Sequence, residues 1–350
     1  MNPQQAVVEG IRAGRPRVGP QTVHVDITNG CNAACVTCWD HSPLLAEGRS
    51  NDWKRRRMSL PLFLDLLEQL DALGSVRAVI LSGMGDPLTH PQVLPMIAAV
   101  KSRGWHLTVL SNLVAATPEF VDSGVDEVLA GVQGATPEAY MAFHPGWTER
   151  EFGRMCGMLR KLDRAGVRTK HVQVINRDTA GELVEMVRFG KLFRAARVNF
   201  KLASLYGGTE ACSITAAQRD ELRDSLVPRA RDLADKLGVA TNLDLFGAQV
   251  EAACQDLRRT TDMAAIGCFM GFVYTRVTVD REVLYCCNTK VQVGTLQRST
   301  MSELWAGERW QALRERLAAG RLFSGCEVCG KVEQNRKWAA RLAAPGVVGA

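Results

Sequence analysis

The 350-residue chain lacks an apolar core at its N-terminus, where Met1-Asn2-Pro3-Gln4-Gln5 opens a polar, Gly/Pro-rich lead-in. No signal-peptide pattern is present, and no apolar run approaches the roughly 20 residues that a membrane helix needs. A cytoplasmic protein is the expectation. Charge of one sign is also scarce in clusters. The net charge of +6 is spread along the chain, and Lys54-Arg55-Arg56-Arg57 is the one basic run. Four cations read as a solvated loop rather than a nucleic-acid surface. Residues 1–20 are too few for a separate peptide-binding domain.

Cysteine is not lacking, and it is unevenly placed. Of eleven, three fall between 31 and 38 and five between 268 and 329, which leaves Cys156, Cys212 and Cys254 alone. Clustered C-x2-C spacing without a secretory signal points to metal ligation rather than disulfides.

The first group lies in Gly30-Cys31-Asn32-Ala33-Ala34-Cys35-Val36-Thr37-Cys38-Trp39, directly after the alternating run Val23-His24-Val25-Asp26-Ile27. Such alternation reads as a strand. Three thiols on the loop that leaves it can converge on one iron–sulfur cluster, and a cluster with three protein ligands keeps one iron open for chemistry. Positions i, i+4 and i+7 also share a helix face, but Gly30, Asn32 and Pro43 argue against a continuous helix. Trp39 after the second C-x2-C cysteine excludes haem attachment; zinc stays open.

Beyond the loop the pattern alternates. Ser59 caps a helix carrying Leu62, Leu66, Leu67 and Leu70. Strands follow at 76–81, 106–110, 126–132, 171–175 and 197–202, and helices at 90–103, 117–123, 148–165 and 181–193. Six strand–helix units imply a parallel sheet that right-handed crossovers curl into a barrel. Active sites on such barrels lie at the C-terminal strand ends, where the cysteine loop falls. Residues 40–58 read as a long loop, 215–237 as a charged amphipathic helix, and Leu243 to Phe246 as a further strand. Cys268, Cys286-Cys287 and Cys326-x2-Cys329 flank a β-hairpin over 272–285, turning at Asp280-Arg281, and a helix over 301–319.

At the first cysteine loop the chain resembles the radical S-adenosylmethionine (SAM) superfamily, whose C-x3-C-x2-C loop ligates a 4Fe–4S cluster and whose open iron is chelated by SAM. The aromatic residue here, Trp39, follows the last cysteine instead of preceding it. Ser82-Gly83-Met84-Gly85-Asp86-Pro87 resembles that family's Gly-Gly-Glu-Pro turn, with Asp86 for Glu and Met84 in a glycine place. The resemblance implies that Gly83, Met84, Gly85 and Asp86 contact SAM through their backbone. It implies further SAM contacts from Ser111 and Asn112, Gln133 and Asn176 at later strand ends. Loops at Asp40-His41-Ser42, at His144 and at 201–208 are expected to face substrate, with His41 or His144 as proton carriers. The C-terminal cysteines resemble the SPASM extension or its shorter twitch form. Its implied ligands are Cys268, Cys286 or Cys287, Cys326 and Cys329, holding an auxiliary 4Fe–4S cluster; four-cysteine zinc remains the alternative.

The expected fold is α/β: a partial (β/α)6 TIM-like barrel over 21–237, after the 1–20 lead-in, then a small β-hairpin plus helix cluster-binding domain over 238–350. The expected activity is reductive cleavage of SAM to a 5′-deoxyadenosyl radical that abstracts hydrogen from a small-molecule substrate. Electrons come from an external flavodoxin- or ferredoxin-type donor. Relatives act on peptides, protein side chains, sugars or aminocyclitols. The short lead-in favours a polyhydroxylated substrate such as a sugar, aminocyclitol or nucleoside. A peptide or protein side-chain maturase is the second expectation, and a non-enzymatic iron–sulfur or zinc protein the third.

Overall fold

The computed structural model describes residues 3–254, 263–326 and 329–343. The expected alternation is realised as six parallel strands, each followed by helix. They are β1 (Thr22–Thr28), β2 (Ala78–Gly83), β3 (His106–Ser111), β4 (Glu127–Gly131), β5 (Arg168–Ile175) and β6 (Arg197–Leu202). Three more strands, β7 (Tyr274–Val277), β8 (Glu282–Leu284) and β9 (Gln292–Thr295), continue the same sheet. The sheet order is β6-β5-β4-β3-β2-β1-β7-β8-β9. β7 runs parallel to β1, β8 is antiparallel to β7, and β9 is antiparallel to β8. The hairpin expected near 272–285 therefore extends the barrel wall.

Alternation explains the two faces. Val23, Val25 and Ile27 of β1 are fully buried in the main core under the helices. His24 and Asp26 take the opposite face, which is the lumen. Register carries that face round the barrel, pairing Asp26 with Ser82, His24 with Arg276 and Val174 with Lys201. At the far edge, Arg197 of β6 donates to Glu333 at 2.7 Å, tying β6 to the chain just after Cys329.

Four expectations are corrected. Leu243 to Phe246 begins a helix, Leu243–Cys254, because Leu243, Phe246 and Val250 bury one face at spacings of three and four. The amide of Asn242 instead imitates a neighbouring strand, bonding both the N–H and the carbonyl of Phe200. The lead-in contains the helix Pro3–Arg12, which buries Ala6 and Val7. Within residues 40–58 a short helix, Asn51–Arg55, is capped by the Ser50 side chain. The helix expected over 301–319 is two, Met301–Ala306 and Glu308–Ala318, broken at extended Gly307. That break lets Arg314 bury among Phe272, Trp305 and Trp310 while donating to the Gly271 and Trp305 carbonyls.

Candidate active site

The first cysteine loop leaves the C-terminal end of β1 and is fastened on every side. Thr28 Oγ1 accepts the Gly30 N–H at 2.9 Å, Val36 N–H bonds the Phe143 carbonyl, and the Ser42 hydroxyl donates to the Val36 carbonyl at 2.7 Å. Trp147 Nε1–H reaches the Asn32 carbonyl, and the Asn112 amide donates to Asn32 Oδ1 at 2.9 Å. Backbone N–H groups of Ala33 and His41 donate to the sulfurs of Cys31 and Cys38 at 3.4 and 3.3 Å. Amide donors of this kind tune iron–sulfur clusters.

Burial, with the Asp86 carboxylate adding to it, pushes the Cys31 thiol up to about 12. Burial and the other two thiols push Cys35 up, and burial raises Cys38. Three thiols that repel one another's negative charge need a cation to become thiolates. Among the described residues no three His, Cys, Asp or Glu side chains are gathered tightly enough for a single metal ion. Three soft thiolate donors on one loop suit an iron–sulfur cluster.

The turn after β2 lies against this loop. A Cβ on Gly83 would sit 2.1 Å from the Thr28 carbonyl oxygen, and one on Gly85 would sit 1.9 Å from that of Gly30. Glycine is required at both places by close backbone approach. The Asp86 N–H bonds the Gly30 carbonyl at 2.9 Å. The Asp86 carboxylate is buried and accepts from the Leu88 and Asn112 N–H groups and from the Ser111 hydroxyl. Burial raises its pKa. Asp86 and Ser111 therefore tie the ends of β2 and β3 together. Met84 Sδ lies 3.6 Å from an Arg276 nitrogen.

The other residues singled out from sequence are also engaged by protein. Gln133, at φ 58, accepts from the Val174 N–H at 2.6 Å. Asn176 Oδ1 caps the turn at Asp178 and Thr179. Trp39 donates to the Ser204 carbonyl at 2.6 Å. His41 Nε2 meets the Asn29 carbonyl, and Asp40 pairs with Arg49 at 2.7 Å. His144 is buried, bonded to the Tyr140 carbonyl and stacked on Trp147 at 4.4 Å between ring centres. One ring nitrogen of each histidine is bound to a backbone carbonyl.

Burial holds His144 down at about 4, and His171 as well. Both bind protons more weakly folded than unfolded, so their contribution to stability is complete above about pH 6.5 and is lost as pH falls toward about 4. Urea midpoints are expected to be clearly lower at about pH 5 than at about pH 7.5. Equal midpoints would contradict the burial of these rings.

A lumen network was missed at the sequence level. Arg276 donates to both Asp26 oxygens at 2.8 and 3.1 Å, Ser82 donates to Asp26 at 3.2 Å, and His24 bridges the Ser82 hydroxyl and Tyr274 OH. Burial pushes the Asp26 carboxyl up and Arg276 opposes it; Asp26 in turn raises Arg276. Its signal was in β1 itself, since a strand buried on both faces is expected to be apolar throughout.

The second cysteine group lies by the start of β7 and the end of β8, at the end of the sheet opposite the first loop. The thiols of Cys326, Cys329 and Cys287 all act electrostatically on Cys268, which burial pushes up to about 12. A Cβ on Gly330 would lie 3.8 Å from Cys287 Sγ. Backbone N–H groups of Asn288 and Lys331 donate to the sulfurs of Cys286 and Cys329, each at 3.4 Å. These residues also fit a cluster.

A model of the radical SAM superfamily matches residues 25–190, and a model of the SPASM iron–sulfur cluster-binding domain matches 268–330. A tungsten-containing aldehyde ferredoxin oxidoreductase cofactor-modifying protein of Pyrococcus furiosus is 28% identical over 110 residues, 30% of this chain and 29% of that relative. The match thus spans less than a third of that relative's length. An AdoMet-dependent heme synthase of Methanosarcina barkeri is 22% identical over 335 residues, 89% of this chain and 88% of that protein. Among solved structures, Streptococcus suis SuiB bound to S-adenosylmethionine superposes with a TM-score of 0.64 at 14% identity, covering 93% of this chain and 74% of that one. Native anSMEcpe with bound AdoMet gives 0.63 at 13%, covering 93% and 97%. At these identities the structures speak to fold. Among the described residues no helix is long and apolar enough to cross a membrane.

Proposed function

From the premise that this chain belongs to the radical SAM superfamily and carries a SPASM domain, we propose that it oxidises a small polyhydroxylated substrate. A sugar, aminocyclitol or nucleoside is the substrate class, and a biosynthetic pathway the setting. Cys31, Cys35 and Cys38 would hold the SAM-binding cluster. Cys268, Cys326 and Cys329, with Cys286 or Cys287, would hold the auxiliary one. When bound, the first cluster with SAM would supply a 5′-deoxyadenosyl radical, and the auxiliary cluster would supply an electron acceptor. Overall, the substrate would lose a hydrogen atom to deoxyadenosine, one electron to an external carrier protein and one proton to solvent. A flavodoxin- or ferredoxin-type protein would also deliver the electron that cleaves SAM. The barrel is taken to run to the helix ending at Cys254, since that helix packs beneath β6.

What supports the small substrate is a strap across the mouth of the barrel. The loop after Cys38 meets the loop after β6: Trp39 Nε1–H bonds Ser204, Trp39 packs edge-on to Tyr206 at 5.4 Å, and the Ala46 N–H bonds the Gly207 carbonyl at 2.9 Å. Gly208 sits at φ 111, and a Cβ there would stand 2.2 Å from the Leu44 carbonyl oxygen. A joined strap narrows access for an extended chain and excludes water around a small molecule. Peptides stay the second reading because SuiB also superposes in its precursor-peptide complex, with a TM-score of 0.63.

The test is anaerobic turnover with deuterated substrates. Deuterium is expected in 5′-deoxyadenosine with members of the sugar, aminocyclitol or nucleoside panel. Transfer from peptides alone would overturn the substrate class, and failure of SAM to bind by calorimetry would overturn the enzyme.

A further inference from the structure

Among the described residues, the cations toward the lumen are matched one by one, with two exceptions. Lys170 Nζ lies 2.8 Å from Glu127, Arg197 pairs with Glu333, and Arg276 pairs with Asp26. Lys201, on the lumen face of β6, pairs with no carboxylate among the described residues. Lys331 pairs with none either; its ammonium sits over the Tyr274 ring at 4.3 Å. Both are partly buried. An unpaired ammonium withdrawn from water is costly unless an anion repays it.

We propose that Lys201 and Lys331 set uncompensated positive charge against the Cys287 side of the auxiliary cluster and thereby bias it toward accepting an electron. This rests on the two-cluster reading above. Lys331 follows Gly330, whose backbone runs beside the Cys287 sulfur. Lys331, Arg276 and Lys201 all act on Cys287 electrostatically, and Lys201 also feels Cys329. A cluster held by four thiolates is an anion and gains a further negative charge on reduction, so nearby cations favour the reduced form. A raised potential is what an acceptor of the substrate's electron needs.

The experiment uses the full chain with Cys31, Cys35 and Cys38 changed to Ala, which isolates the auxiliary cluster. Its midpoint potential is read by a mediator titration followed by electron paramagnetic resonance, with iron counted in each sample. Lys201→Met and Lys331→Met are each expected to move the potential to more negative values at unchanged iron. Lys201→Arg should keep it near the parent, and Lys170→Met, which removes a charge matched by Glu127, should not move it. An unmoved potential in both Met variants with full iron overturns the inference alone, as does a shift that Lys201→Arg fails to restore. Loss of iron from both Met variants assigns the lysines to cluster assembly and overturns tuning. No iron in the triple-alanine parent overturns the auxiliary cluster itself, and the inference with it.

Discussion

Protein with Cys31, Cys35 and Cys38 all changed to Ala is expected to retain about four irons per chain after anaerobic reconstitution, against about eight in the parent. SAM cleavage is expected to fall to the uncatalysed level. The two cysteine groups lie at opposite ends of neighbouring strands, one on the loop leaving β1 and the other by the open end of the β7–β8 hairpin and after the helix Glu308–Ala318. Removing one donor set leaves the other's backbone supports in place. The loop itself is held by Thr28, Ser42, Asn112 and Trp147 rather than by its thiols, so the fold is expected to survive the substitutions. Iron and sulfide analysis with a deoxyadenosine assay checks both halves. About four irons in the parent and none in the variant would leave residues 268–329 as a zinc or structural unit. No iron in either protein would sink the radical mechanism.

Arg276→Ala is expected to cost the apo-protein about 3–5 kcal/mol, because it strands the Asp26 carboxylate in the lumen. Asp26 is fully buried, with two of its contacts coming from one guanidinium. Asp26→Ala is expected to be similarly severe. It leaves Arg276 charged, since a guanidinium does not give up its proton in a protein. The double substitution should cost much less than the sum of the singles, since no unmatched charge remains. Urea unfolding of the four proteins at one pH closes the cycle. Additive losses would mean that the pair is screened by water and that the lumen is wetter than its contacts indicate. Arg276 also reaches Met84, so its loss is expected to weaken SAM binding in the calorimetric titration.

The order of strands and helices was legible because each unit carries its own period: two along β1 and about 3.6 along the leucine-bearing helix after Ser59. The cysteine spacing was legible for a similar reason, since ligands to one centre must be close in a local loop. The Leu243 to Phe246 segment misled because four residues cannot separate the two periods; Val250, further along, settles it as helix. The engagement of Asp86, Ser111, Gln133 and Asn176 with backbone was not readable either. A polar residue at a strand end serves a ligand or a cap equally well, and only the neighbouring strand decides which.

The sequence by itself determined the family-bearing motifs, the six repeating units and the two cysteine groups, because each is a matter of spacing along the chain. Tertiary structure alone decided that the C-terminal hairpin joins the barrel wall through β7 and β1, that Arg276 meets Asp26 across 250 positions, and that Lys201 and Lys331 lie near one thiol with no carboxylate partner among the described residues. Those are pairings between distant segments. Their energy comes from charges brought together away from water, which no local pattern in the chain records.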